Sequence, residues 1–392
     1  MGQKERGSNN YTLIHRKIDG VSVPNINSRL RPTAERTDAV KLAANAGQSY
    51  GGSGVLGMGF TLTPEERDEL IAKDKCNGER IFPYLGGKEV NTSPTQGFNR
   101  YVISFGDMSL EEAGQWPDLL DIVRAKVKPE RDKLKNNADG RCREKWWQFA
   151  GRAPKLYAAL AGKKRCLVNS RVTKHLVFAW QPTDRIFSHE LYVYPVEDDR
   201  YIALLQSRLH DNWARLLSST MGASLRYTAS DSFETFPFPK ADKLAALDGM
   251  GKELNDYRAA LMIERDQGLT TTYNQLTDPT CDDADIVALR ELHEQLDRQV
   301  LTAYGWQDLH ENMPTYGQPV TDADRRKRGD LFSRAILQNC TRYENAIIDR
   351  LFELNATRGS APTESAPNQR RDEMKKNACK DAGESWVLET NG

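Results

Sequence analysis

Residues 224–240 read SLRYTASDSFETFPFPK, and no regular element can run through their second half. Phe233, Phe236 and Phe238 crowd around Pro237 and Pro239. Each proline fixes φ at about −65° and removes a backbone donor, which rules out a helix interior and a central strand. It also narrows the unfolded ensemble. Three large rings in so short a stretch nevertheless demand burial. The segment is therefore expected to be a stiff strap whose rings staple two layers, a clasp between the regions on its N-terminal and C-terminal sides.

The region on its N-terminal side is mixed. TPEERDELIAK (63–73) sets Thr63 before Pro64, with Glu66 in the capping-box position, and SLEE (109–112) repeats the device with Ser109 and Glu112. RYVISF (100–105), RCLVNS (165–170), HLVFAW (175–180), RIFS (185–188) and LYVY (191–194) are strand-like runs. A short helix is expected over 37–46. A longer one is expected from Pro117 to about Leu134, with Leu119, Leu120, Ile122, Val123 and Val127 as its buried stripe. Another opens at Asp198 or Asp199 and carries Leu205, Leu209, Trp213 and Leu216. The region on the C-terminal side of the strap is helical in period over 240–263, 283–304 and 322–355, with Leu289, Leu292, Leu296 and Val300 on one stripe. Residues 356–392 hold few apolar side chains and are expected to be disordered. The expected fold is α+β: a mixed α/β domain, then a helical C-terminal domain.

The chain has 55 basic and 55 acidic residues, so its net charge names no partner, but the charges are not evenly spread. Between 141 and 180 ten basic residues face one acid, Glu144, and alternate with Trp146, Trp147, Phe149, Tyr157, Phe178 and Trp180. Cations for phosphates beside planar or forked groups for bases suit a nucleic-acid surface. A solvated charged face over an aromatic core, or another anionic partner, has the same composition. SRVTKHLVFAW (170–180) places Ser170, Arg171, Thr173, Lys174 and His175 at a strand entry, where polar tips can meet a groove.

Other chemistries find little support. GGSGVLG (51–57) formally contains GxGxxG, but no strand leads into it and no helix comes after, so it reads as a turn or strand entry. The six histidines form no HxxxH or HExxH, the six cysteines form no CxxC, and no GxSxG elbow is present. Neither a metal site nor a self-contained catalytic centre is expected. The cysteines read as reduced thiols of a cytoplasmic protein, and no apolar run is long enough to span a bilayer.

SLRYTASDSFETFPFP resembles the end of the target-recognition domain of type IIG and IIL restriction–modification enzymes and related phage-defence adenine methyltransferases. NINSRLRPT, NAGQSYGGSGVLGMGFTLTPEE, RIFPYLGGKEVN, PDLLDIVRAKVKPERDK, WWQFAGRAP, LVNSRVTKHLVF, LQSRLHDNWARLLSS and LTAYGW keep that family's order across residues 20–355. The resemblance implies a DNA adenine-N6 methyltransferase that uses S-adenosylmethionine. The family's cofactor loop and its Asn-Pro-Pro-Tyr/Phe tetrapeptide are absent, and no Pro-Pro occurs at all. The implied role is therefore the DNA-reading specificity part. Double-stranded DNA and a methyltransferase catalytic domain or subunit are its partners, and the cofactor belongs to that catalytic part. Residues 1–24, with YTLIHRKI, are expected to be a remnant of the catalytic domain, 25–240 the target-recognition domain and 241–355 the helical domain.

The expected DNA contacts are Lys145, Arg152, Lys163, Lys164, Arg165, Arg171, Lys174, His175 and Arg226. Arg171 and Arg226 suit bidentate guanine contacts, and the lysines suit phosphates. Three alternatives stay open: a complete methyltransferase or nuclease, a degraded fragment of one, and a module that binds DNA without sequence preference.

Overall fold

A computed structural model of the chain describes residues 38–134, 140–316 and 334–360, with the paired strands Lys17–Ile18 and Val21–Ser22. Apart from that hairpin, the expected remnant over 1–24 lies outside the described residues. Of the expected tail, residues up to 359 continue the last helix, Arg334–Gly359, and those from 361 onward also lie outside.

The architecture is α+β. One sheet runs in the order Ile186–Phe187, Ile81–Leu85, Arg100–Ile103, Thr61–Leu62, with its one parallel pairing at Ile186–Phe187. A second runs Tyr50–Gly51, Leu191–Tyr194, Arg165–Ser170, Ala179–Pro182 and is antiparallel throughout. A three-stranded ribbon joins Ser219–Met221, Ser224–Arg226 and Val172–Thr173.

Both capping boxes form. The Thr63 hydroxyl accepts from the Glu66 amide at 3.2 Å while the Glu66 carboxylate accepts from the Thr63 amide at 2.9 Å. Ser109 and Glu112 repeat the exchange at 3.2 and 2.7 Å. The helix expected over 117–134 divides into Pro117–Lys126 and Lys128–Arg131, because Pro129 has no N–H to continue the ladder. Its stripe packs Leu119, Leu120 and Val123 with Phe60, Val102, Phe105, Trp146, Trp147 and Phe149 under the first sheet. The helix opened by Asp198 likewise divides, at Ser207, whose side chain caps the second piece, Arg208–Leu217. The expected helix over 37–46 is only a 3-10 turn, Ala43–Asn45.

HLVFAW is strand only from Ala179. Ahead of it, side chains take the place of a ladder. Gln206 donates to the Leu176 carbonyl at 3.2 Å and accepts from the Phe178 amide at 3.1 Å, and Arg258 donates to the Phe178 carbonyl at 2.8 Å.

The strap is a clasp. After a helical turn at Ala229–Ser232 it takes an irregular path. Phe233 and Phe236 are fully buried, against Tyr194 and against His210 and Trp213. Phe238 packs edge-on to both. The strap's carbonyls have distant partners. The Asn45 amide donates to those of Phe233, Glu234 and Phe236, Asn355 to Thr235, Tyr304 to Pro237 and Arg358 to Phe238. Segments from both ends of the described chain therefore close on one strap. The core shares that plan: Val168, Val193, Trp213 and Phe236 lie in one cluster with Leu254, Leu289, Val300, Ile347 and Leu351.

Candidate nucleic-acid interface

Strand Arg165–Ser170 lies between two neighbours in its sheet, and the expected DNA contacts flank it at both ends. Arg171 is six residues on from Arg165, which is about 20 Å along a strand.

At the first end, a turn through Gly162 (φ +78°) presents Lys163 and Lys164. Lys163 is half-buried and Lys164 exposed, and neither ammonium has an ion-pair partner among the described residues. Arg165 is engaged within the fold. Its guanidinium lies 4.0 Å over the Trp180 ring, 3.2 Å from the Asp199 carboxylate, and donates to the Glu197 carbonyl at 2.5 Å.

At the second end, Arg171 is half-buried. It donates to the His189 carbonyl and the Tyr192 hydroxyl, each at 3.2 Å, and lies 4.8 Å over the Tyr192 ring. The ribbon starts at the next residue. Its alternation is clear: Leu225 and Thr173 sit side by side and point inward. The opposite face carries Ser219, Arg226 and Val172 in one row across the three strands, with Met221 beside Ser224 in the next. Val172 and Met221 are exposed, and Gly222 (φ +61°) makes the turn. Arg226 is exposed and has no partner among the described residues.

Lys174 and His175 face the helical region. Lys174 Nζ donates to the Asn274 side-chain oxygen at 2.6 Å and His175 Nε2 donates to the same oxygen at 2.9 Å. Burial holds the His175 imidazole below its ordinary pKa. His175 also lines a cavity of about 410 Å³ with Arg208, Tyr273, His293 and Tyr316.

Lys145 and Arg152 belong to a third place, beside the first sheet. Lys145 is exposed, while Arg152 is ion-paired with Asp107. The nine candidates are therefore spread over three sites, and Lys145, Lys163, Lys164 and Arg226 are the cations among them left unpaired by the described residues.

Sequence reasoning missed the residue that ties the third place to the second. Arg131 is buried at 2% exposure and binds six carbonyls. Nη1 donates to Cys142, Lys145, Trp146 and Gln148, the last at 2.6 Å, and Nη2 to Val55 and Leu56 at 3.0 and 3.1 Å. The signal was its spacing, since Val123, Val127 and Arg131 continue the buried stripe in steps of four. From Val55 the chain leads back to Ser53, whose carbonyl accepts from the His189 amide at 2.8 Å. His189 is the residue that Arg171 binds. Contrary to the expectation, a short strand, Tyr50–Gly51, does lead into GGSGVLG, which is a strand exit and loop, with Gly52 pressed so close that a Cβ would lie 2.2 Å from the Ser188 carbonyl oxygen.

Among the described residues no group of His, Cys, Asp or Glu could hold a metal, and no helix is long and apolar enough to cross a membrane. Cys76, Cys142, Cys166 and Cys281 are free thiols.

Residues 37–240 match the family model described as MmeI, target recognition domain. Among solved structures, the chain is similar to the type IIL restriction–modification enzyme MmeI in complex with DNA, with a TM-score of 0.62 and 18% identity. That likeness covers 87% of this chain and 39% of the MmeI chain. No curated protein matches.

Proposed function

We propose, from the premise that this chain belongs to the family of MmeI target recognition domains, that it reads a specific sequence in double-stranded DNA. It would do so as the specificity part of an adenine-N6 methyltransferase, in a cytoplasmic restriction–modification or phage-defence system. The observation that carries this reading is Arg226, an exposed, unpaired guanidinium on a narrow ribbon. Its outer hairpin, Ser219–Met221 with Ser224–Arg226, is a two-stranded unit of the kind that enters a major groove, where a forked donor pairs with guanine O6 and N7.

The rest of the geometry supplies hold. Lys163 and Lys164 sit about 20 Å from the ribbon along the central strand, about six base pairs of duplex at 3.4 Å each. From there they can take phosphates while Arg226 meets a base edge. Arg171, fixed on Tyr192 and the His189 carbonyl, stiffens the ribbon's root and leaves its polar edge near the groove. Methylation at adenine N6 requires the base to leave the stack, and a rigid clamp keeps the flanking duplex in register while that happens. S-adenosylmethionine supplies the methyl group in the catalytic part, whose motifs this sequence does not contain.

Selection from a randomised duplex pool at near-physiological salt tests the proposal. Enrichment of one short motif is expected. Retention without enrichment, abolished by added salt, would reduce the chain to a basic surface, and no retention at any salt would overturn DNA binding.

A further inference from the structure

The loop Val55–Met58 takes no part in the contacts assigned to Arg226, Lys163 and Lys164, yet it carries two exposed apolar side chains on a hydrogen-bonded support. Leu56 and Met58 are 50% and 68% exposed. Leu56 has φ +48°, a conformation that a branched side chain holds only where the loop is braced, and Gly57, at φ +113°, supplies the turn after it. The bracing is visible. Arg131 grips the Val55 and Leu56 carbonyls, Gly54 and Gly151 exchange hydrogen bonds at 2.8 and 2.9 Å, and the Thr61 hydroxyl donates to the Met58 carbonyl at 2.6 Å. Behind the tip, Gly59 presses on the helix Pro117–Lys126 so closely that a Cβ would lie 2.6 Å from that of Lys126.

We propose that Leu56 and Met58 form a wedge that inserts between base pairs of the bound duplex. This rests on the reading of the chain as a DNA binder. Apolar side chains on a stiff support open a base step and kink the helix, which brings more duplex onto the protein. Placement favours DNA as the occupant. One guanidinium binds the backbone carbonyls of both Leu56 and Lys145, so the tip shares its anchor with a residue whose side chain is an exposed cation. Two residues before the loop, the Ser53 carbonyl accepts from the His189 amide, and Arg171 donates to the His189 carbonyl. Glu130 is exposed, with its carboxylate 3.5 Å from where a Gly57 Cβ would be, so phosphate is disfavoured at that glycine and contact falls to the flanking side chains. Lys126 and Lys128 nearby are neutralised by Glu66 and Asp132.

The test uses the full chain and a duplex of its selected motif, with 2-aminopurine placed at each position in turn. Wild type should raise the fluorescence several-fold at one step. Leu56→Ala with Met58→Ala should still bind, within about tenfold, but give no rise. Leu56→Gln with Met58→Gln, which keeps the side-chain length, should also give none. Binding by wild type without a rise anywhere overturns the wedge and leaves DNA reading intact, as does a rise unchanged in both double variants. If the variants lose only their association with a methyltransferase chain, the tip is a protein contact and the wedge is wrong. Failure of wild type to bind any duplex removes both readings.

Discussion

Asn45 and Phe236 are 191 residues apart, and the Asn45 side-chain amide donates to the Phe236 carbonyl at 2.8 Å. The same buried amide reaches the carbonyls of Phe233 and Glu234 at 3.0 and 3.2 Å. One side chain therefore seats the strap on the start of the recognition fold. Asn45→Ala leaves those acceptors without a donor and should cost about 1–3 kcal/mol in denaturant unfolding. Asn45→Asp is nearly isosteric but puts a carboxylate against carbonyl oxygens in a buried site, so it should cost more. Equal stability of Asn45→Asp and wild type would show that the clasp is held by its rings alone.

The lysines and the arginine at one end of the central strand should part company on mutation. Lys163→Ala with Lys164→Ala should leave stability within about 0.5 kcal/mol and flatten the log–log salt dependence of DNA binding by about two units. Arg165→Ala should instead lower the melting temperature, since it removes the contacts to Trp180, Asp199 and the Glu197 carbonyl. An unchanged salt slope in the double variant would place both lysines on a merely solvated face.

Two buried histidines set a pH dependence of stability. Burial favours the neutral His210 ring, in which Nδ1 donates to the Leu205 carbonyl at 3.0 Å and Nε2 accepts from the Tyr227 hydroxyl at 3.2 Å. Burial lowers its pKa to about 4, and burial with the Arg258 and Arg208 charges lowers that of His293 to about 3. An unfolded histidine takes its proton at about pH 6.5, so on acidification the unfolded chain binds protons first. Their contribution is therefore complete above about pH 6.5 and falls as pH drops toward 4, by up to about 1.4 kcal/mol per unit for each. Unfolding measured at pH 7.5 and pH 5 should show this loss, and His210→Gln should remove one share of the slope. A flat profile in wild type would contradict it.

The sequence showed most where the cause is local. Thr63 with Glu66, Ser109 with Glu112 and Asp198 cap their helices because each device needs only three or four residues. The clasp was legible for a similar reason, since Pro237 and Pro239 exclude other structures whatever surrounds them. The start of HLVFAW was not, because Gln206 and Arg258, 28 and 80 residues from Phe178, take over its backbone groups. The site was legible as a list of cations and not as a map. Nothing near Arg165 in sequence announces that Trp180 and Asp199 occupy it, and nothing near Lys174 announces Asn274. Arg226 escaped such partners because its ribbon turns it to the open face.

Sequence-specific reading by this chain stands or falls with that arginine as a reader of bases. The most direct measurement compares the motif selected from a randomised duplex pool by wild type with that selected by Arg226→Ala. Arg226 is exposed, so the variant should fold as wild type does. Preference should disappear at one position, with a loss of roughly 1–3 kcal/mol for the preferred base there and the rest of the motif intact. An identical motif with weaker binding to every sequence would contradict this, and would make Arg226 a phosphate contact.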